Sequence, residues 1–122
     1  LWAGFSIKFD NDERLVSFGS PEYTAKEVFS SIDPGSVDVM GLMHTAAHLI
    51  SPGLHILKKM WAGPLSAYPD SGFFKMPHWQ FEKILTPQKF LEFSTKWRAE
   101  DVCIIGGCCG LGPEHIAELR VL

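Results

Sequence analysis

IIGGCCGLGPEHI, residues 104–116, decides how the rest of the chain is read. Two isoleucines run into a glycine pair, two adjacent cysteines and a third glycine, and a helix start follows. A strand, a sharp turn and a helix in so short a stretch is one βα unit. The adjacent thiols need a reason. They are inert small residues, a disulfide, a phosphate-binding turn, or two ligands of a metal.

Working outward, the same unit recurs. Residues 1–9 (LWAGFSIKF) are apolar and β-prone and end in the turn-like DNDE, which predicts a strand. Ser20-Pro21-Glu22 predicts a helix over 20–32 with Ser20 as cap and Pro21 in its first turn. VDVMGLM (37–43) reads as a buried strand, and SPGLHILKKMW (51–61) as a helix with Leu54, Leu57 and Trp61 on one face. A strand over 63–68 is closed by the turn Pro69-Asp70-Ser71-Gly72. Thr86-Pro87 opens a helix over 86–100, and strand 102–107 and helix 112–122 complete the series. The segment RLVSFGS (14–20) is ambiguous between strand and loop.

Strict β-α alternation implies an α/β fold with a parallel sheet and right-handed crossovers. Strands apolar on both faces favour half of a TIM-type (β/α)8 barrel, about four βα units, over a small open sheet. In either case chemistry collects at the carboxyl ends of the strands. Here those ends carry Lys8, Phe9 and Asp10; Met43, His44 and Thr45; Tyr68, Pro69 and Asp70; and Gly107, Cys108 and Cys109.

Composition narrows the classes. The chain has 122 residues, enough for one core and no more, and is treated as a single partial domain. A net charge of −3 gives no footprint for nucleic acid or an anionic membrane. No apolar run nears the roughly 18 residues of a membrane span. Three cysteines, two of them adjacent, make no disulfide framework, since neighbouring Cα atoms lie about 3.8 Å apart. A reducing, cytoplasmic setting is expected. The start at Leu1 rather than methionine suggests a piece of something longer.

Cys103, inside its strand, reads as a small packing residue. Cys108 and Cys109 do not, because successive strand residues face opposite ways unless the backbone turns. Gly106, Gly107 and Gly110 permit that turn. Zinc takes thiolate and imidazole ligands, so a third ligand is needed, and His44 at an earlier strand end is the candidate. His48 shares a face with it if HTAAHL is helical. His55, His78 and His115 read as surface or capping residues. Asp70 is a candidate partner of a ligand or a weak oxygen ligand, and Trp79 a candidate substrate wall. The competing phosphate reading rests on glycines before a helix start, but matches neither dinucleotide nor P-loop spacing and leaves the thiols unexplained.

GGCCGLGPEHI resembles the last strand, zinc-binding turn and helix of the homocysteine S-methyltransferases, (β/α)8 barrels related to the homocysteine domain of methionine synthase and to betaine–homocysteine methyltransferase. LWAGFSIKFDNDERLVSFGSP, VDVMGLMH and GPLSAYPDSG look like its fifth, sixth and seventh strand regions. The resemblance implies a Zn2+ cofactor that activates the homocysteine thiol, with Cys108 and Cys109 as two ligands. It also implies a sulfonium, ammonium or folate-type methyl donor, methionine as product, and Tyr68 and Asp70 as substrate-binding residues.

The third family cysteine falls at His44, and the family's asparagine in the seventh-strand turn falls at Asp70. Two thiolates with a neutral histidine make the zinc site one charge less negative than three thiolates. Such a site deprotonates a thiol more readily and leaves it less electron-rich. The resemblance covers the second half of the barrel, so the missing N-terminal half or a second copy is the expected partner for the open sheet edges. A non-catalytic half-barrel module and a phosphate-ligand barrel are the alternative functions.

Overall fold

The computed structural model describes residues 1–80 and 84–122, with backbone alone at 73–75 and 79. The expected role of the Trp79 side chain lies outside the described residues. Strands β1 (Trp2–Phe5), β4 (Val39–Ala46), β5 (Leu65–Asp70) and β8 (Val102–Ile105) form one parallel sheet in that spatial order. Between them lie α1 (Ala25–Phe29), α2 (Ala47–Leu57) and α3 (Pro87–Ala99), and α4 (Pro113–Glu118) follows β8. Two antiparallel hairpins decorate the frame, β2 (Ile7–Phe9) with β3 (Leu15–Ser17) and β6 (Phe73–Lys75) with β7 (His78–Gln80).

Parallel register stacks side chains of one face into rows. Phe5, Leu42 and Ala67 are aligned neighbours, as are Met40, Leu65 and Val102, and all six are buried. These rows meet Ala25 and Phe29 of α1, Ile50, Leu54 and Leu57 of α2, and Phe90 and Trp97 of α3 in one core. The other face holds Gly4, Gly41 and Ser66 in one row, with Trp2, Met43 and Tyr68 beside it. Trp2 is 58% and Met43 45% exposed there, around a shallow cleft of about 220 Å³. Consecutive strand order with helices packed on one face is compatible with a partial barrel.

Gly41 marks the tightest approach on that second face. A Cβ there would lie 2.1 Å from both the carbonyl oxygen and the hydroxyl of Ser66. Since one obstacle is backbone, β4 and β5 would have to separate. Gly41→Ala should cost at least the ~1–3 kcal/mol of core overpacking. A urea unfolding midpoint unchanged from wild type would refute that close approach.

Several expected boundaries move, each for a local reason. The strand expected over 1–9 breaks at Ser6, and its second half turns away to pair with β3, so RLVSFGS becomes the return arm of a hairpin. The helix cap is Thr24, not Ser20: Thr24 and Glu27 form a reciprocal capping box, and Ser20 instead accepts the Tyr23 amide in a turn. Ser51-Pro52 does not start α2, which begins at Ala47 with Pro52 inside it. Pro69 and Asp70 belong to β5 rather than to a turn, because Pro69 and Asp70 pair in register with Thr45 and Ala46. The cap at Thr86 stands as read.

Candidate metal centre

The carboxyl ends of β4, β5 and β8 converge on one rim. β8 itself stops at Ile105, but the chain continues beside β5. The Cys108 amide donates to the Pro69 carbonyl at 2.9 Å, and the Ser71 amide donates to the Cys109 carbonyl at 2.8 Å. Past that point the chain turns back, with the Leu111 amide donating to the Cys108 carbonyl at 3.1 Å. Gly110 sits inside this turn at φ 80°, a conformation that suits glycine. The two thiols end 3.8 Å apart, with Cys108 Sγ donating to Cys109 Sγ and no disulfide between them, and both are half-buried. A tetrahedral zinc with Zn–S bonds of about 2.3 Å separates two sulfurs by about 3.8 Å.

His44 reaches the same rim through a bulge. Met43 pairs with Tyr68 and Thr45 with Pro69, so His44 is the extra residue between them, at φ 47°. Three side-chain hydrogen bonds pin this conformation. Ser6 Oγ donates to the His44 carbonyl at 2.6 Å, Thr45 Oγ1 donates to the Met43 carbonyl at 2.9 Å, and the Ile7 amide donates to Thr45 Oγ1 at 3.1 Å. A left-handed histidine costs of order 1–3 kcal/mol and persists where its surroundings hold it, as they do here. The Phe18 ring packs against the imidazole with centroids 5.0 Å apart, and Lys8 Nζ lies 5.2 Å from that ring.

Ligand atoms of His44, Cys108 and Cys109 all lie within 4.8 Å of one another. Two soft thiols and an imidazole form a donor set suited to zinc. Asp70 Oδ2 stands 3.3 Å from His44 Nδ1, with the Asp70 side chain 10% exposed. Burial raises the Asp70 carboxyl pKa, against the opposing pull of His44. Burial also raises the Cys109 thiol, with Cys108 and then Asp70 adding to the effect. Both shifts disfavour negative charge at Asp70 and Cys109, and a divalent cation held beside them would oppose that effect.

The structure brings together His44, Cys108 and Cys109, with Asp70 beside His44. Tyr68 lies one register step earlier, on the uncovered sheet face. His48, His55 and His78 are exposed and do not join the group. Lys8 and Phe9 belong to the β2–β3 hairpin and Asp10 to its turn, with Lys8 held at the Phe18 ring beside His44, while Ser6 bonds the His44 carbonyl at the end of the first strand. His115, expected at the surface or as a cap, does cap α4 but is buried, with 3% exposure. Its cue was the spacing Gly112-x-x-His115, which puts its ring back on the amide of the N-cap residue Gly112.

Comparison with known proteins places the chain in a family. The family model described as homocysteine S-methyltransferase matches residues 1–122. The chain is 29% identical over 118 residues to selenocysteine methyltransferase of Astragalus bisulcatus, covering 94% of this chain and 33% of that protein. It is 32% identical over 92 residues to methionine synthase of Mycobacterium leprae (strain TN), covering 74% and 8%. It is 28% identical over 120 residues to homocysteine S-methyltransferase YbgG of Bacillus subtilis (strain 168), covering 97% and 36%. The chain thus spans about a third or less of the length of these relatives. With a family match running its whole length, this chain belongs to the homocysteine S-methyltransferase family.

Proposed function

We propose that the protein carrying this chain transfers a methyl group from a sulfonium, ammonium or folate-type donor to the thiol of homocysteine or a similar acceptor, forming methionine from homocysteine. The carrying observation is the convergence of His44, Cys108 and Cys109 on one strand-end rim. Zinc bound there would supply Lewis acidity that favours the thiolate form of an acceptor thiol at neutral pH. Cys108 and Cys109 would provide two sulfur ligands. His44 would provide the third ligand, with Asp70 3.3 Å from its Nδ1 to help orient the ring. Tyr68 and the uncovered face beside it would form a wall for the acceptor.

Among the described residues the second sheet face leaves Trp2 and Met43 exposed, which supports completion of a (β/α)8 barrel by chain outside these residues or by a second copy. Among the described residues no helix is long and apolar enough to cross a membrane. Free thiols suit a reducing compartment, the cytoplasm in this proposal.

Relative to three thiolates, the His44 site carries one negative charge fewer. It should therefore lower an acceptor thiol's pKa further while making its sulfur a weaker nucleophile. The test is methionine formation by the full-length protein with homocysteine and each donor class in turn. One donor should support turnover that Cys108→Ser abolishes. Absence of product from all three donors with metal-loaded protein would reject the assignment.

A further inference from the structure

We propose that His115, buried behind the cysteine turn, is a positioning residue that sets the geometry of the Cys108–Cys109 pair. The proposal rests on the reading of those thiols as the working pair. His115 lies six residues beyond Cys109, 3% exposed, with its ring edge-on to Phe90 at 6.0 Å. The Gly112 amide donates to its Nδ1 at 3.0 Å, so that nitrogen carries the lone pair and Nε2 the proton. Nε2 then donates to the Leu85 carbonyl at 2.7 Å. Glu114 Oε1, on an exposed side chain, is 3.2 Å from Nδ1.

From Leu85 the connection returns to the site. The Leu85 amide donates to Ser71 Oγ at 2.6 Å, and the Ser71 amide donates to the Cys109 carbonyl at 2.8 Å. Backbone from Cys109 through Gly110 and Leu111 to Gly112 closes the circuit. The imidazole thus bridges the two strand-end loops, one ending β5 and one ending β8. A helix cap would need only the Gly112 bond; the Leu85 bond is the one that reaches Ser71 and hence Cys109. Hydrogen-bond networks of this kind are more rigid when every member is satisfied.

Two variants separate capping from positioning. His115→Asn keeps an acceptor near the Nδ1 position, whereas His115→Gln extends a donor toward the Leu85 carbonyl. Two probes read the thiol pair. Phenylarsine oxide condenses with two thiols, forming two As–S bonds and releasing water, and needs no zinc. Cobalt(II) reports thiolate ligation by its charge-transfer absorption. With both variants folded by circular dichroism, His115→Asn should lose tenfold or more in affinity for each probe, within the 10–100-fold range of outer-shell changes. His115→Gln should stay within about threefold of wild type.

An Asn variant matching wild type, or a Gln variant losing as much as Asn, would overturn the proposal. So would loss of the fold in both variants, which would make His115 a general stability residue. If wild type takes the arsenical but not cobalt, the metal reading fails and the arsenical comparison still decides the role of His115. A wild-type chain that takes neither probe overturns both.

Discussion

Serine at both Cys108 and Cys109 is expected to reduce bound zinc from near one ion per chain to below about a tenth, because the site loses both of its soft ligands at once. The fold should survive. Both residues are half-buried on a rim, outside the core of Leu42, Ala67, Trp97 and their neighbours, and the bonds that place the turn use backbone groups that serine also has. Metal analysis alongside thermal unfolding distinguishes a lost site from a lost fold. Retention of stoichiometric zinc would move the metal elsewhere in the molecule.

The second large effect concerns His44. Removing a ligand outright in His44→Ala should weaken zinc by more than the ~10–100-fold seen when an outer partner is removed, and Asp70→Asn should fall within that range. His44→Cys should recover affinity and restore the additional negative charge. Competition with a chelator of known affinity orders the three. The order predicted from weakest to tightest is His44→Ala, Asp70→Asn, His44→Cys. Equal affinity for His44→Ala and wild type would remove His44 from the metal's ligands.

The sequence carried much of this arrangement, and its failures are local. Alternating strands and helices specified a parallel sheet because apolar runs and Ser/Thr-Pro starts are short-range signals, as at Thr86. The same signal misled at Ser20 and Ser51. Thr24 and Glu27 offer a reciprocal box that Ser20 cannot match, and Ala47 can begin a helix directly from β4. Pro69-Asp70 has turn composition, yet β4 beside it supplies partners that keep it extended.

At the site, the adjacency of Cys108 and Cys109 was visible as an oddity of composition, and their convergence with His44 followed from strand-end placement. The bulge that aims His44 was not legible. It depends on bonds from Ser6 to the His44 carbonyl and from the Ile7 amide to Thr45, both of which form only once the first strands lie beside β4. The role of His115 was hidden for the same reason. Leu85, thirty residues earlier, is its second partner, and nothing in the local sequence names that contact.

X-ray absorption at the zinc edge of the full-length protein examines the central claim most directly, since it counts the ligands by element and distance. The account predicts two sulfurs near 2.3 Å and an imidazole nitrogen at about 2.0 Å, with the nitrogen signal lost in His44→Ala. Three or more protein sulfurs with no imidazole, or zinc bound through oxygen and nitrogen alone, would contradict it.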